Sequence, residues 1–183
     1  MSISEEKLIK GCQKGDRTYQ QALYDKYSDG MYLVALRYSK MQQEAEDILQ
    51  EAFIKVFKNI KNFRKDSSLA YWIKRIVVNT ALNHQRSKLY LYPMVDVNDL
   101  NDWSDKESVI SSLGYQELLL LIQELPTGCQ VIFNLFAIEG YKHHEIAKKL
   151  EISEGTSKSQ YSRAKSILIE KIMDQGESRY GEI

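Results

Sequence analysis

Four side chains near the C-terminal end, Lys158, Ser159, Ser162 and Arg163, have the types and spacing to work on a polyanion. At about 100° per residue they share one side of a helix, while Tyr161, Ala164 and Leu168 recur on the opposite side. No acidic residue lies between Gly155 and Ile169. A helix that packs on one face and presents Lys, Ser and Arg on the other suits the major groove of DNA, where cations neutralise phosphate and hydroxyls reach base edges. The plainer alternative is a solvated face of an ordinary helical domain.

A second polar ridge carries Arg75, Asn79, Asn83 and Arg86, spaced by four, four and three residues. Asn pairs with a base edge through two hydrogen bonds, and Arg neutralises phosphate. Phe63 and Tyr71, near the start of the same segment, offer ring faces to a displaced base. Read plainly, Asn79 and Asn83 are surface amides and Trp72 is core. A third group, Asp47, Gln50, Glu51 and Ile54 with Lys55 and Lys58, shares the outer face of one amphipathic segment. Acids at its start and lysines at its end suit the helix dipole. The aliphatic Ile54 among them suits a protein partner equally well.

Catalytic chemistry is not expected. Glu44, Glu46, Asp47 and Glu51 cluster, and His143-His144-Glu145 invites a metal, but no Glu-x-x-His pairing, phosphate loop or nucleophile elbow accompanies them. Adjacent histidines point about 100° apart on a helix and do not chelate jointly as an i, i+4 pair does. Cys12 and Cys129 are too few and too distant for a disulfide framework or a zinc site. No cofactor, metal or small-molecule substrate is therefore expected.

These groups must be held by helices. With 183 residues, 43% hydrophobic content and two prolines, the chain suits an all-α fold of two small helical domains. Ser4 followed by Glu5 and Glu6 opens a short helix that Gly11 or Gly15 ends. The spacing of Tyr19, Ala22, Leu23, Tyr27, Met31, Val34, Ala35 and Tyr38 predicts a helix over 17–38, with a bend near Gly30. Ala45, Ile48, Leu49, Ala52, Phe53, Val56, Phe57 and Ile60 predict one over 43–61. Leu69, Trp72, Ile73, Ile76, Val77, Thr80 and Ala81 predict another, capped by Ser67 or Ser68 and reaching about residue 87.

Residues 89–113 change character: Tyr90, Tyr92 and Pro93 precede Asp96, Asp99, Asp102, Asp105 and Glu107 with no sustained stripe. This acidic stretch reads as a linker between domains over 1–88 and 114–183. The net charge of zero divides unevenly, with 15 basic and 10 acidic residues in 1–87, 2 and 5 in 88–113, and 8 and 10 in 114–183. Beyond the linker, Leu118, Leu121, Ile122 and Leu125 predict a helix stopped by Pro126. Thr127 caps the next, whose stripe is Val131, Ile132, Leu135 and Phe136 and whose left-handed end is Gly140. The stretch YKHHEIAKKLEISEGTSKSQYSRAK, residues 141–165, then reads as a helix-turn-helix, with Ser153 as N-cap of the second helix. The N-terminus lacks the apolar core of a signal peptide, and nothing approaches the ~20 apolar residues that span a bilayer. A reduced, cytoplasmic protein without membrane insertion is expected.

Two segments carry a resemblance. AEDILQEAFIKVFKNIKNF followed by WIKRIVVNTALNHQR resembles the second conserved region of bacterial RNA polymerase sigma factors of the extracytoplasmic-function type. LPTGCQVIFNLFAIEGYKHHEIAKKLEISEGTSKSQYSRAK resembles their fourth. The resemblance implies a protein that binds core RNA polymerase and directs promoter recognition, DNA melting and transcription initiation. By this likeness Asp47, Gln50, Glu51 and Ile54 would dock on the polymerase. Phe63, Arg75, Asn79, Asn83 and Arg86 would hold the melted −10 element, with Asn79 foremost. Lys158, Ser159, Ser162 and Arg163 would read the double-stranded −35 element, with Thr156 or the helix start on phosphate. An anti-sigma factor is implied as a further partner. The pattern is broken at Glu151, where Gly or Asn is usual, at Ser157 for Val, at Gln160 for Arg and at Asn83 for Asp. The rival reading is a helix-turn-helix regulator that binds DNA without polymerase.

Overall fold

A computed structural model of the chain describes residues 3–91 and 114–180, with side chains over 3–86 and 114–174. Every regular element among these residues is helical: α1 Glu5–Gln13, α2 Arg17–Leu36, α3 Gln42–Asn59, a 3-10 turn Ile60–Asn62, α4 Leu69–Leu91, α5 Tyr115–Glu124, α6 Thr127–Phe133 with a π-turn Asn134–Ile138, α7 His143–Leu150 and α8 Glu154–Tyr180. They form two compact units, Met1–His84 and Gln85–Ile183.

In the first unit the apolar stripes close on one another. Leu8, Ile9 and Cys12 of α1, Leu23, Met31, Val34 and Ala35 of α2, Ala45, Ile48, Leu49, Ala52, Phe53 and Val56 of α3, and Leu69, Ile73, Val77, Val78 and Ala81 of α4 are all buried. Each fully buried Leu or Ile contributes about 2 kcal/mol, so this core outweighs any propensity along the helices. That explains α2, which continues as helix through Gly30 and ends at Leu36, two residues short of the expected 38. Its N-cap is Asp16, whose carboxylate accepts from Thr18 N at 2.8 Å. The close approach of α1 and α2 needs Gly11, since a Cβ there would lie 2.1 Å from Cγ of Tyr19.

Two boundaries move. Helix α3 tightens into the 3-10 turn after Asn59, and α4 continues to Leu91, so 89–91 are helix rather than linker. The remainder of the expected linker, 92–113, lies outside the described residues, as do the apolar positions Val109, Ile110 and Leu113.

The second unit is built around α6, where every residue from Cys129 to Leu135 is buried. Leu121, Ile122, Leu125, Cys129, Phe133, Ala164 and Leu168 make its apolar centre. Thr127 is the first helical residue rather than the cap, because Pro126 holds the extended cap position. The π-turn, with Glu139 N donating to Asn134 O at 2.9 Å, inserts an extra residue before Gly140, which takes the left-handed φ of +78° expected of it.

Candidate nucleic-acid and partner interfaces

On α3, residues 47, 50, 51 and 54 follow one another at helical spacing along the outer surface. Asp47 and Gln50 are exposed, and Ile54 keeps 53% of its surface in solvent. Glu51 differs. Its Oε1 lies 2.6 Å from Lys55 Nζ, and its Oε2 accepts from His84 Nε2 at 2.5 Å, across from α3 to α4. These two hydrogen bonds, Lys55 first, hold the Glu51 carboxyl below its ordinary range. Since the carboxylate only accepts, His84 Nε2 carries the proton. Lys55 also donates to Thr80 Oγ1 of α4 at 3.3 Å. The role of Glu51 is thus at least partly internal.

On α4, Arg75, Asn83 and Arg86 are exposed and Asn79 is half-buried, so the polar ridge exists as expected. Phe63 does not join it. The 3-10 turn, closed by Phe63 N donating to Ile60 O at 3.2 Å, turns that ring inward, where it is 8% exposed with its centroid 5.2 Å from Trp72. The ring is therefore packed in the core rather than presented along the ridge. Tyr71 is the exposed aromatic near the helix start, at 53%, with Lys74 Nζ 5.9 Å from its ring.

In the helix-turn-helix, the amides of Glu151 and Ile152 both return to Ala147 O, and Glu151 takes a left-handed φ of 59°. Ser153 caps α8 as expected, with its Oγ accepting from Thr156 N at 2.8 Å. The free face of α8 is narrower than its spacing implies. Gly155, Lys158 and Arg163 are exposed and Ser162 is half-buried, but Thr156 and Ser159 are buried. Ser159 Oγ donates to Thr156 O at 3.1 Å, and the Thr156 hydroxyl lies 2.8 Å from that of Ser153. Two neighbouring helices flank the first turns of α8, and together they cover an arc wider than a single apolar stripe predicts. Ser159 thus lies off the exposed part of this face, and the Thr156 side chain is engaged at the cap. Lys158 also reaches back to Glu154 at 2.8 Å.

Sequence reasoning missed the polar seam beneath this turn. Fully buried Ser157 shares a hydrogen bond of 2.9 Å with Nδ1 of His143, whose ring stacks on Phe136 at 4.2 Å and 14°. Burial, and then the nearby Lys158, hold the His143 pKa below the ordinary histidine value. Buried Gln160 accepts from Cys129 Sγ at 3.1 Å. Among the described residues no group of three His, Cys, Asp or Glu could hold a metal, and no helix is long and apolar enough to cross a membrane.

Two family models match the chain, Sigma-70 region 2 over residues 23–89 and Sigma-70, region 4 over 115–168, together about two thirds of its length. The RNA polymerase sigma-H factor of Pseudomonas aeruginosa is 28% identical over 90% of this chain and 91% of its own. The ECF RNA polymerase sigma-E factor of Escherichia coli K12 is 27% identical over 93% and 95%. The solved sigma factor RpoE of Bartonella quintana, in complex with the anti-sigma factor NepR, is 19% identical with a TM-score of 0.50, covering 84% of this chain and 96% of that one, a likeness of fold. These relatives are initiation factors, not enzymes. The chain therefore belongs to the sigma-70 family, as an RNA polymerase sigma factor of the extracytoplasmic-function type.

Proposed function

We propose that this sigma factor divides its work among the three faces. The domain over 1–88 docks core polymerase through Asp47, Gln50 and Ile54 of α3, with Glu51 at the edge of that surface. It holds the melted −10 element along Arg75, Asn79, Asn83 and Arg86 of α4. The domain over 114–183 reads the double-stranded −35 element through Lys158, Ser162 and Arg163, with the start of α8 on phosphate. An anti-sigma factor is a further partner in this reading, in line with the complex in which the similar RpoE was solved. Work on polymerase and chromosome places the protein in the cytoplasm.

The observation that carries the docking surface is Ile54, an aliphatic side chain 53% exposed within a polar ridge. Such a group contributes most when a partner covers it. Co-elution of the purified protein with core polymerase tests the reading, with Ile54→Asp, Gln50→Ala as the control, followed by transcription from DNA upstream of its own gene. Stable co-elution, weakened by the variant, with specific transcripts supports it. Tight binding to that DNA alone, with no association with polymerase, would overturn the assigned roles.

A further inference from the structure

Helices α3 and α4 are joined by a polar ladder whose geometry bears on the DNA-holding ridge. Glu51 and Lys55 stand four residues apart on α3, and Thr80 and His84 stand four apart on α4. Glu51 accepts from both Lys55 and His84, at 2.6 and 2.5 Å, and Lys55 donates to Thr80 Oγ1 at 3.3 Å. Each α4 member directly follows one amide of the ridge: Thr80 follows Asn79, and His84 follows Asn83. One residue along a helix is a rotation of about 100°, so the ladder and the amide ridge run side by side along α4.

We infer that Lys55, Thr80 and His84 are positioning residues for promoter opening: they set the rotation of α4 about its own axis and thereby aim Asn79 and Asn83. The apolar packing of Leu69, Ile73, Val77 and Ala81 holds α4 against its neighbours without directional preference, whereas the hydrogen bonds of the ladder are directional and fix the rotation more finely. A roll that left the core intact would still carry the amides away from a base held in place by polymerase. The other end of the ladder, Glu51, sits on the docking face beside Asp47 and Ile54, so a partner seated on α3 bears on the same ladder. The inference rests on the roles proposed above for α3 and α4.

The test uses holoenzyme assembled from full-length protein and core polymerase. Affinity for core is read first, then the rate of opening of a double-stranded promoter by permanganate reactivity of unpaired thymines. His84→Ala and Thr80→Val are expected to bind core within about twofold of wild type but to open the promoter about fivefold to tenfold more slowly. His84→Gln, which can still donate to Glu51, is expected to recover most of that loss. Asn79→Ala is expected to slow opening in the wild-type background but to add less than about twofold in the His84→Ala background, because the amide is already misaimed. A merely destabilising change would leave the Asn79→Ala effect at full size. The inference is overturned if opening by His84→Ala is unchanged, if the two substitutions multiply independently, or if core affinity falls as far as opening does. Failure of the wild-type protein itself to bind core would instead remove the underlying docking role, and the inference with it.

Discussion

The hydroxyl of Ser157 lies 2.9 Å from Nδ1 of His143, and this bond joins the two helices of the helix-turn-helix beneath their turn. Ser157 is fully buried and His143 half-buried, so neither has ready access to replacement water. Ser157→Val would supply the apolar residue usual at this position and leave the imidazole nitrogen without its partner. A loss of about 1–2 kcal/mol in urea unfolding is expected, with much of it recovered when His143→Phe is added, since removing both polar partners together is nearly neutral. An unchanged unfolding midpoint in the single variant would show that the bond contributes nothing.

The same histidine links stability to pH. Its folded-state pKa is depressed by burial and by Lys158, so in acid the unfolded chain binds the proton more readily than the folded one. The stabilisation from holding a neutral His143 is complete above the unfolded value near 6.5 and is lost as pH falls through the folded value. Wild-type protein should therefore lose stability as pH falls below about 6.5, and His143→Phe should show a flatter profile there. The Glu51 and Glu154 carboxyls, both held low, act in the same sense but only at more acid pH, below their ordinary 4.5. Parallel profiles for the two proteins would remove His143 as the source.

Glu151 carries a left-handed backbone at φ 59° and is exposed. A Cβ in that region costs about 1–2 kcal/mol, offset in part by the greater freedom that glycine has when unfolded. Glu151→Gly should raise stability by roughly 0.5–1 kcal/mol, read as a higher urea midpoint with an unchanged slope. A fall in stability would mean that the glutamate side chain contributes more than its backbone costs.

The split between exposed and buried residues on α8 separates two classes of variant. Lys158→Ala and Arg163→Ala should each weaken holoenzyme binding to promoter DNA and reduce the slope of log affinity against log salt by about 1. Ser159→Ala should leave both quantities close to wild type, because its hydroxyl is turned onto Thr156 O. A large, base-specific loss from Ser159→Ala, measured by competition between promoter variants, would contradict the burial seen here.

Most of the fold was legible in the sequence where a helix contacts its neighbours along one side. Of the stripe Ala45, Ile48, Leu49, Ala52, Phe53, Val56, Phe57 and Ile60, all but the half-buried Phe57 are buried, and the exposed Asp47, Gln50 and Ile54 follow as its complement. The Ser153 cap and the left-handed Gly140 were legible because they depend on local backbone chemistry alone. The candidate faces were legible less completely. Phe63 belongs to no helical period, and its inward turn depends on the 3-10 turn that precedes it.

What the sequence determined by itself was the family, the helices and the ridges of polar side chains, since each is written in residue types at a fixed period along one segment. What only the tertiary structure decided was how much of each ridge remains at the surface. Ser157, Ser159 and Gln160 are as polar as Lys158 and Ser162, yet they lie buried. Glu51 is as charged as Asp47, yet it is spent on Lys55 and His84. Periodicity states which residues share a side of one helix, but burial depends on how many helices surround that side and on whether a short polar group finds a hydrogen-bond partner there.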